Sequence, residues 1–341
     1  MYPTTAKIIN MNRDKMTLQL RRCIGHYNFV KLQSWIKYRL NFRKFYNANS
    51  KQSPHTERKT VVYMADGRTS HGGFSDRLRG IISLYEYCMK HDLDFRIHFV
   101  HPFSLEAFLI PNKYDWRIDE KELIYDKRRV KFRFINSYSH MTEELFEKFL
   151  KTDNNITQVH VYSNWTNHEE RYYDYFRVLF KFSSMLEEKL NMYKNDIGCK
   201  YISISFRFIS LLGDFKDSYF ASELSTEEEK EMYIEKSLEC VRRLHEQYPQ
   251  YEKILVTTDS SIFLKRLEQL PYVYIIKGEV IHMDYVHEHL EGHLKTMIDY
   301  FMISNAEKVF CYSYGKMFKA TRFAKTAALI GGKECKMIRE A

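Results

Sequence analysis

The sequence has no C-x-x-C pair, and its six cysteines (Cys23, Cys88, Cys199, Cys240, Cys311 and Cys335) are scattered over 341 residues. That spacing excludes a small disulfide-stapled module and predicts reduced thiols without a disulfide. No apolar run approaches the roughly 20 residues that a membrane-spanning helix needs. The charged start, apolar stretch and small-residue cleavage site of a signal peptide are also missing, so the expected location is the cytoplasm. There is no internal repeat of fixed period and no low-complexity tract, which argues against solenoids and disordered arrays. His282, His287, His289 and His293 invite a metal reading, but His289-Leu-Glu291-Gly-His293 is not the H-E-x-x-H pattern of zinc peptidases. No cysteines or clustered carboxylates stand near these histidines, and no metal is expected. Asp92-Leu-Asp94 is the one D-x-D spacing considered, and it leads straight into a strand-like run.

What is present is a chain with 44% hydrophobic residues, enough to bury a sizeable core and to build two domains. The net charge of +9 is unevenly placed. Residues 1–60 hold 13 Lys/Arg against 2 Asp/Glu, whereas the other 281 residues hold 40 against 42. The body of the protein is thus nearly neutral, and a nucleic-acid partner is not expected. In the basic stretch Phe29, Leu32, Trp35, Ile36, Tyr38, Leu40, Phe42, Phe45 and Tyr46 alternate with Lys31, Lys37, Arg39, Arg43 and Lys44. Such a segment suits an interfacial amphipathic helix on an anionic membrane surface, with contact through residues 1–46. A helix packed on the first domain with its cations in water is the alternative. Asn47 to Lys59 reads as a polar linker.

Beyond it, strand-like and helix-like segments alternate. Strands are predicted at Thr60–Ala65, Phe95–Val100, Val130–Ile135 and Gln158–Tyr162, with helices from about Ser75 to Lys90, at Thr142–Leu150 and at His168–Leu190. After Asn195 come strands at Tyr201–Phe206, Lys253–Thr257, Val273–Ile276 and Lys308–Cys311. Helices are expected at Thr226–Gln247, Ser261–Gln269, Tyr285–Ser304 and Lys316–Leu329. Alternation of this kind implies an α/β protein with parallel sheets. Two such runs imply two Rossmann-like domains facing a cleft. The expected boundaries are a basic helical segment and linker over 1–58, a first Rossmann-like domain over 59–195 and a second over 196–341.

Four segments carry candidate chemistry. His71-Gly72-Gly73-Phe74-Ser75-Asp76-Arg77 lies between a strand and a helix, where glycines admit a ligand and a new helix offers N–H groups to an anion. It lacks the G-x-G-x-x-G of dinucleotide sites, and a tight turn capped by Ser75 or Asp76 would look the same. Arg207 ends the strand Tyr201–Phe206 and is followed by Gly213, Asp214 and Asp217. A guanidinium outside a strand's carboxyl end can hold a diphosphate or pair with a carboxylate. Thr258-Asp259-Ser260 ends the next strand, where Asp259 either binds a nucleoside or caps a helix. Finally, Asp299 stands among Met297, Phe301 and Met302, and Ser313-Tyr314-Gly315 follows a strand; a carboxylate on an apolar helix needs a partner or a task.

Taken in order, these segments resemble the fucosyltransferase superfamily that includes the α1,2-, α1,6- and protein O-fucosyltransferases and the rhizobial nodulation enzymes. Gly72–Arg77, Ser205-Phe206-Arg207, Thr258-Asp259 and Asp299-Tyr-Phe-Met-Ile-Ser304-Asn-Ala-Glu307 fall where that family has its motifs, over about residues 60 to 332. Ser205 replaces the usual His, and the acidic residue after the arginine arrives late, as Asp214. The resemblance implies a GT-B fold and inverting, metal-independent transfer of fucose from GDP-fucose, without a cofactor, to a glycan or lipid-linked acceptor in surface polysaccharide synthesis. It makes Arg207 the residue that stabilises the departing diphosphate. Gly72, Gly73, Arg77, Asp259, Ser260, Asp299, Ser313 and Tyr314 become donor-site residues. Asp214, Asp217 and Asp76 are candidate bases in that order. A transferase using GDP-mannose or a UDP-sugar, and a non-catalytic relative that kept the fold, stay open as alternatives.

Overall fold

The computed structural model describes residues 19–20, 22–46, 58–136, 141–166, 168–198, 200–214, 223–278, 290–319 and 322–340. Two compact units emerge. Unit 1 comprises Met1–Gly72, Asp76–His101 and Asp115–His168; unit 2 comprises Gly73–Ser75, Pro102–Tyr114 and Glu169–Ala341.

In unit 1, β1 (Thr60–Ala65), β2 (Asp94–Phe99), β4 (Val130–Ile135) and β5 (Gln158–Ser163) form a parallel sheet in the order β2-β1-β5-β4. Every residue of β1 and β5 is buried, as expected of inner parallel strands covered on both faces. Helix α2 (Phe74–Lys90) brings Leu78, Ile81 and Ile82 into the core, and α3 (Glu143–Leu150) is capped by the Thr142 hydroxyl, which accepts the Leu145 N–H at 3.3 Å.

The basic N-terminal segment belongs to this unit. Helix α1 (His26–Lys37) runs into a wide turn over Tyr38–Phe42, and Phe29, Val30, Phe42 and Tyr46 are buried. Phe42 packs on Phe132 and Tyr162 with ring centroids 4.5 and 4.7 Å apart. Strand β4 is an edge strand, and the Phe134 N–H that it would leave bare donates to the Ser34 hydroxyl at 3.0 Å. The Tyr46 hydroxyl meets His160 Nδ1 at 2.8 Å inside the core, where burial holds the His160 imidazole down to about 3. The segment is thus two-faced. Lys31, Trp35, Ile36, Arg39, Leu40, Arg43 and Lys44 remain exposed on the other side. The helix packs on unit 1, where half of its aromatics complete the core. The expected linker over 47–57 lies outside the described residues.

In unit 2, β7 (Tyr201–Phe206), β8 (Lys253–Thr258), β9 (Val273–Tyr274), β10 (Lys308–Tyr314) and β11 (Cys335–Glu340) form a parallel sheet in the order β11-β10-β7-β8-β9. Numbered from its own first strand, that is 3-2-1-4-5 read from the β9 edge, the Rossmann order. Ile202, Ile204, Phe206, Phe310 and Tyr312 pack with Leu238 and Val241 of α6 (Glu227–Gln247) and with Phe263 of α7 (Ser261–Leu267). Helices α8 (Leu290–Asn305) and α9 (Arg322–Ile330) complete the unit, and a two-stranded antiparallel pair joins β3 (Leu109–Pro111) to β6 (Phe180–Phe182). Cys311 and Cys335, on neighbouring strands, have free thiols with sulfurs 3.0 Å apart.

One expected helix changes. The helix predicted at His168–Leu190 is broken into α4 (Tyr172–Leu179), β6 and α5 (Ser184–Ile197), because Phe180–Phe182 pairs with β3 and Ser183 caps a new helix. Residues from Glu169 onward belong to unit 2, where α5 packs against α8 and α4 against α9. The helix expected from Tyr285 is described from Leu290, residues 279–289 lying outside the described residues.

Candidate functional site

In an open parallel sheet the crevice for a ligand lies outside the carboxyl ends of the strands, at the point where strand order reverses. In unit 2 that point falls between β7 and β10, so Arg207 follows one strand and Gly315 the other, while Ser313 and Tyr314, expected beyond the strand, are the last two residues of β10. Strand β8, which delivers Asp259 and Ser260, is the other neighbour of β7.

Arg207 is half-buried. Its guanidinium carbon lies 5.7 Å from the centroid of the Phe318 ring, within cation–π range, and its carbonyl accepts the Phe318 N–H at 3.2 Å. Sequence reasoning missed Phe318, whose only signal was an aromatic residue just beyond the Ser313 loop. That loop folds back because Gly315 takes a left-handed φ of 51° and the Lys316 N–H donates to the Tyr233 hydroxyl at 2.9 Å.

Asp259 is buried, and both its carboxylate oxygens are engaged. Oδ1 accepts the Phe208 N–H at 2.8 Å and Oδ2 the Ile209 N–H at 2.9 Å. Burial pushes its carboxyl up to about 6, against the opposing pull of the Arg207 charge and the two N–H donors. Ile209 has φ +58°, a left-handed conformation that a β-branched residue seldom adopts and that costs about 1–3 kcal/mol. Two charge-assisted hydrogen bonds, at about 1.5–3 kcal/mol each, are enough to hold it. Asp259, read from sequence as a nucleoside contact or helix cap, instead clamps the turn that follows Arg207.

The cap of α7 is built elsewhere. Ser260 Oγ accepts the Phe263 N–H at 3.1 Å and donates to Asp214 Oδ2 at 2.8 Å, while the same Asp214 oxygen accepts from Ser261 Oγ at 3.1 Å and from the Ile262 N–H at 2.8 Å. Asp214, the first-ranked base from sequence, therefore serves the positive end of a helix, where a carboxylate is favoured. Asp217 lies outside the described residues. The Ser313 hydroxyl is buried and donates to the Met317 carbonyl at 3.4 Å, and the Tyr314 ring packs edge-on against Tyr233 of α6 at 5.0 Å.

Asp299, mid-helix in α8, is buried and bonded to the Lys295 ammonium one turn earlier. Burial raises its carboxyl pKa, and Lys295 opposes that rise, so this carboxylate has the partner that its apolar surroundings require. In unit 1, Gly72 has φ +82° and Arg77 is buried, its Nε donating to the Gly72 carbonyl at 3.2 Å and its Nη1 to the His101 carbonyl at 2.6 Å. Arg77, expected in the donor site, thus fastens the loop of its own unit. Asp76 pairs with Arg79 at 3.1 Å, and Gly73, counted with unit 2, has open space where a Cβ would stand. Among the described residues no three His, Cys, Asp or Glu side chains converge as metal ligands; His282, His287 and His289 lie outside them.

Two α/β units with parallel sheets, one in Rossmann order, define the GT-B-like fold of the fucosyltransferases of known structure. The chain is similar to NodZ α-1,6-fucosyltransferase soaked with GDP-fucose, with a TM-score of 0.53 at 14% identity over 81% of this chain and 93% of that one. It is likewise similar to fucosyltransferase NodZ from Bradyrhizobium, at TM-score 0.54 and 15% identity over 81% and 94% of the two chains. A point variant of Arabidopsis thaliana FUT1 in complex with GDP gives a TM-score of 0.53 at 10% identity over 92% and 79%. No protein-family model matches the sequence, and no curated protein matches it.

Proposed function

We propose that this protein is an inverting, metal-independent glycosyltransferase that moves fucose from GDP-fucose to a glycan or lipid-linked saccharide in surface polysaccharide synthesis. The observation that carries the reading is the switch point of unit 2, where Arg207 stands outside the carboxyl end of β7 and is held through ring and backbone contacts to Phe318, in the segment that follows β10. Two of the neighbours that share the fold were solved with GDP-fucose and with GDP, which supports a guanine nucleotide sugar as the donor. In this reading Arg207 grips the diphosphate and neutralises the charge that grows on it as the anomeric carbon is attacked from the opposite face. The acceptor hydroxyl passes its proton to a carboxylate, for which Asp214, Asp217 and Asp76 are the candidates; in the free protein Asp214 caps α7 and Asp76 pairs with Arg79.

The donor is tested by thermal denaturation with GDP, UDP, ADP and their sugar conjugates, without added metal. GDP and GDP-fucose at 100 times their dissociation constant should stabilise the protein by about 2.7 kcal/mol, and the other nucleotides much less. A UDP-selective rise would replace the donor, and no rise with any nucleotide would remove it.

The same proposal places the enzyme at the inner face of the cytoplasmic membrane. No described helix is long and apolar enough to cross a membrane. The exposed face of α1 and of the turn after it supports surface contact instead: Trp35, Ile36 and Leu40 are 57%, 41% and 77% exposed and lie among Lys31, Arg39, Arg43 and Lys44. No acidic residue occurs between Asp14 and Glu57. Each cation near an anionic leaflet contributes about 1 kcal/mol. Binding to phosphatidylglycerol vesicles should therefore fall at least about tenfold in the double variant Trp35→Ala, Leu40→Asp and vanish on phosphatidylcholine. Equal binding to both lipids, or salt-sensitive binding to duplex DNA in their place, would overturn membrane contact.

A further inference from the structure

We infer that Asp259 is a positioning residue: by holding Phe208 and Ile209 in a strained turn, it fixes the direction in which Arg207 leaves β7. The inference rests on the donor site proposed above and assigns to Asp259 a task other than touching nucleotide. Three hydrogen bonds pin the backbone around Arg207. Its own carbonyl takes the Phe318 N–H at 3.2 Å, and the next two N–H groups end on Asp259 Oδ1 and Oδ2 at 2.8 and 2.9 Å. The carboxylate has one oxygen for each of those N–H groups and is 8% exposed, so its hydrogen-bonding faces toward the turn are used inside the protein. Ile209 pays for this geometry in backbone strain, with φ +58°, and would leave the left-handed region if the clamp were loosened. The Leu211 N–H donates to the Phe208 carbonyl at 3.2 Å and the Gly213 N–H to the Ser210 carbonyl at 3.2 Å, so the turn leads in an ordered way to Asp214 and its cap on α7. Ser260, next in sequence to Asp259, sits in that same cap. One acidic residue therefore couples the ends of β7 and β8 at the place where Arg207 must aim its planar fork.

A guanidinium displaced by about 1 Å loses bidentate contact, and misplacements of that size lower rates by about 10²-fold. In Asp259→Asn an amide donor replaces one acceptor and faces an N–H, so the turn relaxes while a buried charge is removed. The expected result is GDP affinity reduced by about 10- to 100-fold with the melting temperature nearly unchanged. The decisive variant is Asp259→Asn combined with Ile209→Gly. Glycine adopts φ +58° without strain but also deletes a side chain that is 2% exposed, so Ile209→Gly alone is the reference, and recovery means that Asp259→Asn costs several-fold less GDP affinity in that background than in the unaltered protein. Amide exchange at Phe208 and Ile209 should speed up in Asp259→Asn, a readout that needs no ligand. Loss of affinity without recovery and without faster exchange would show that Asp259 contacts the nucleotide itself, and unchanged affinity in Asp259→Asn would also overturn the inference. If the unaltered protein binds no GDP at millimolar concentration, the donor reading fails first, and the positioning role falls with it.

Discussion

Arg207→Ala is expected to lower kcat/KM for transfer from GDP-fucose by about 10³-fold, the range found when a cation aimed at developing charge is removed. Charge accumulates on the departing diphosphate only as the glycosidic bond breaks, so an interaction made mainly there should depress kcat more than it raises KM. Arg207→Lys separates charge from shape. Lysine keeps the cation but lacks the planar fork, and it replaces a guanidinium whose carbon lies 5.7 Å from the Phe318 ring centroid by a point charge. It should recover a tenfold part of the loss and no more. The fold should survive both changes, because Arg207 is half-buried and its carbonyl, not its side chain, holds Phe318. Single-turnover measurement of fucose transfer checks the prediction; a loss smaller than tenfold in the alanine variant would take the diphosphate away from Arg207.

The strands that shape this site were legible because buried parallel strands are short apolar runs, and Thr60–Ala65, Val130–Ile135 and Tyr201–Phe206 are found with the ends predicted for them. The residue after each strand could be read off in the same way, which is why Arg207 and Asp259 were candidates before any contact was known. Their roles were not legible. The cap that occupies Asp214 joins it to Ser260 across 46 positions, and the clamp joins Asp259 to Phe208 across 51. Neither pairing leaves a local pattern. Strand order has the same character: β10 lies beside β7 although α6, β8, α7, β9 and α8 intervene. The break at Ser183 was hidden for a different reason. The Tyr- and Phe-rich stretch before it has helical spacing, and only the pairing of Phe180–Phe182 with Leu109–Pro111 overrides that propensity. In the N-terminal segment the composition predicted an amphipathic helix, but not which aromatics would be consumed by the core, since Phe42 and Trp35 look alike until Phe132 and Tyr162 are placed.

A second large effect is expected at Gly80. By intrinsic helix propensity alone, Gly80→Ala in α2 should stabilise the protein by about 1 kcal/mol. Packing reverses the sign. A Cβ at that position would stand 2.1 Å from the carbonyl oxygen of Ser163, 2.8 Å from its carbon and 3.0 Å from the Tyr63 ring. Ser163 ends β5, where it pairs with Ile135 of β4 and the next N–H, of Asn164, is tied to the Ile135 carbonyl at 3.3 Å, so the carbonyl has little room to swing away. The helix must move out instead, which loosens Leu78, Ile81 and Ile82, each at most 1% exposed. Overpacking of this kind costs about 3 kcal/mol or somewhat more, and for a unit of this size the melting temperature should fall by about 6–12 °C. Gly73→Ala is the internal control: nothing lies within 4 Å of its Cβ position, so its melting temperature should stay within about 1 °C of the unaltered protein. Because α2 begins at Phe74, directly after Gly72 and Gly73, a displaced helix also moves the loop that Arg77 fastens to the Gly72 carbonyl. Calorimetry on both variants tests the pair of predictions, and a Gly80→Ala protein as stable as the Gly73→Ala protein would mean that α2 does not rest against the end of β5.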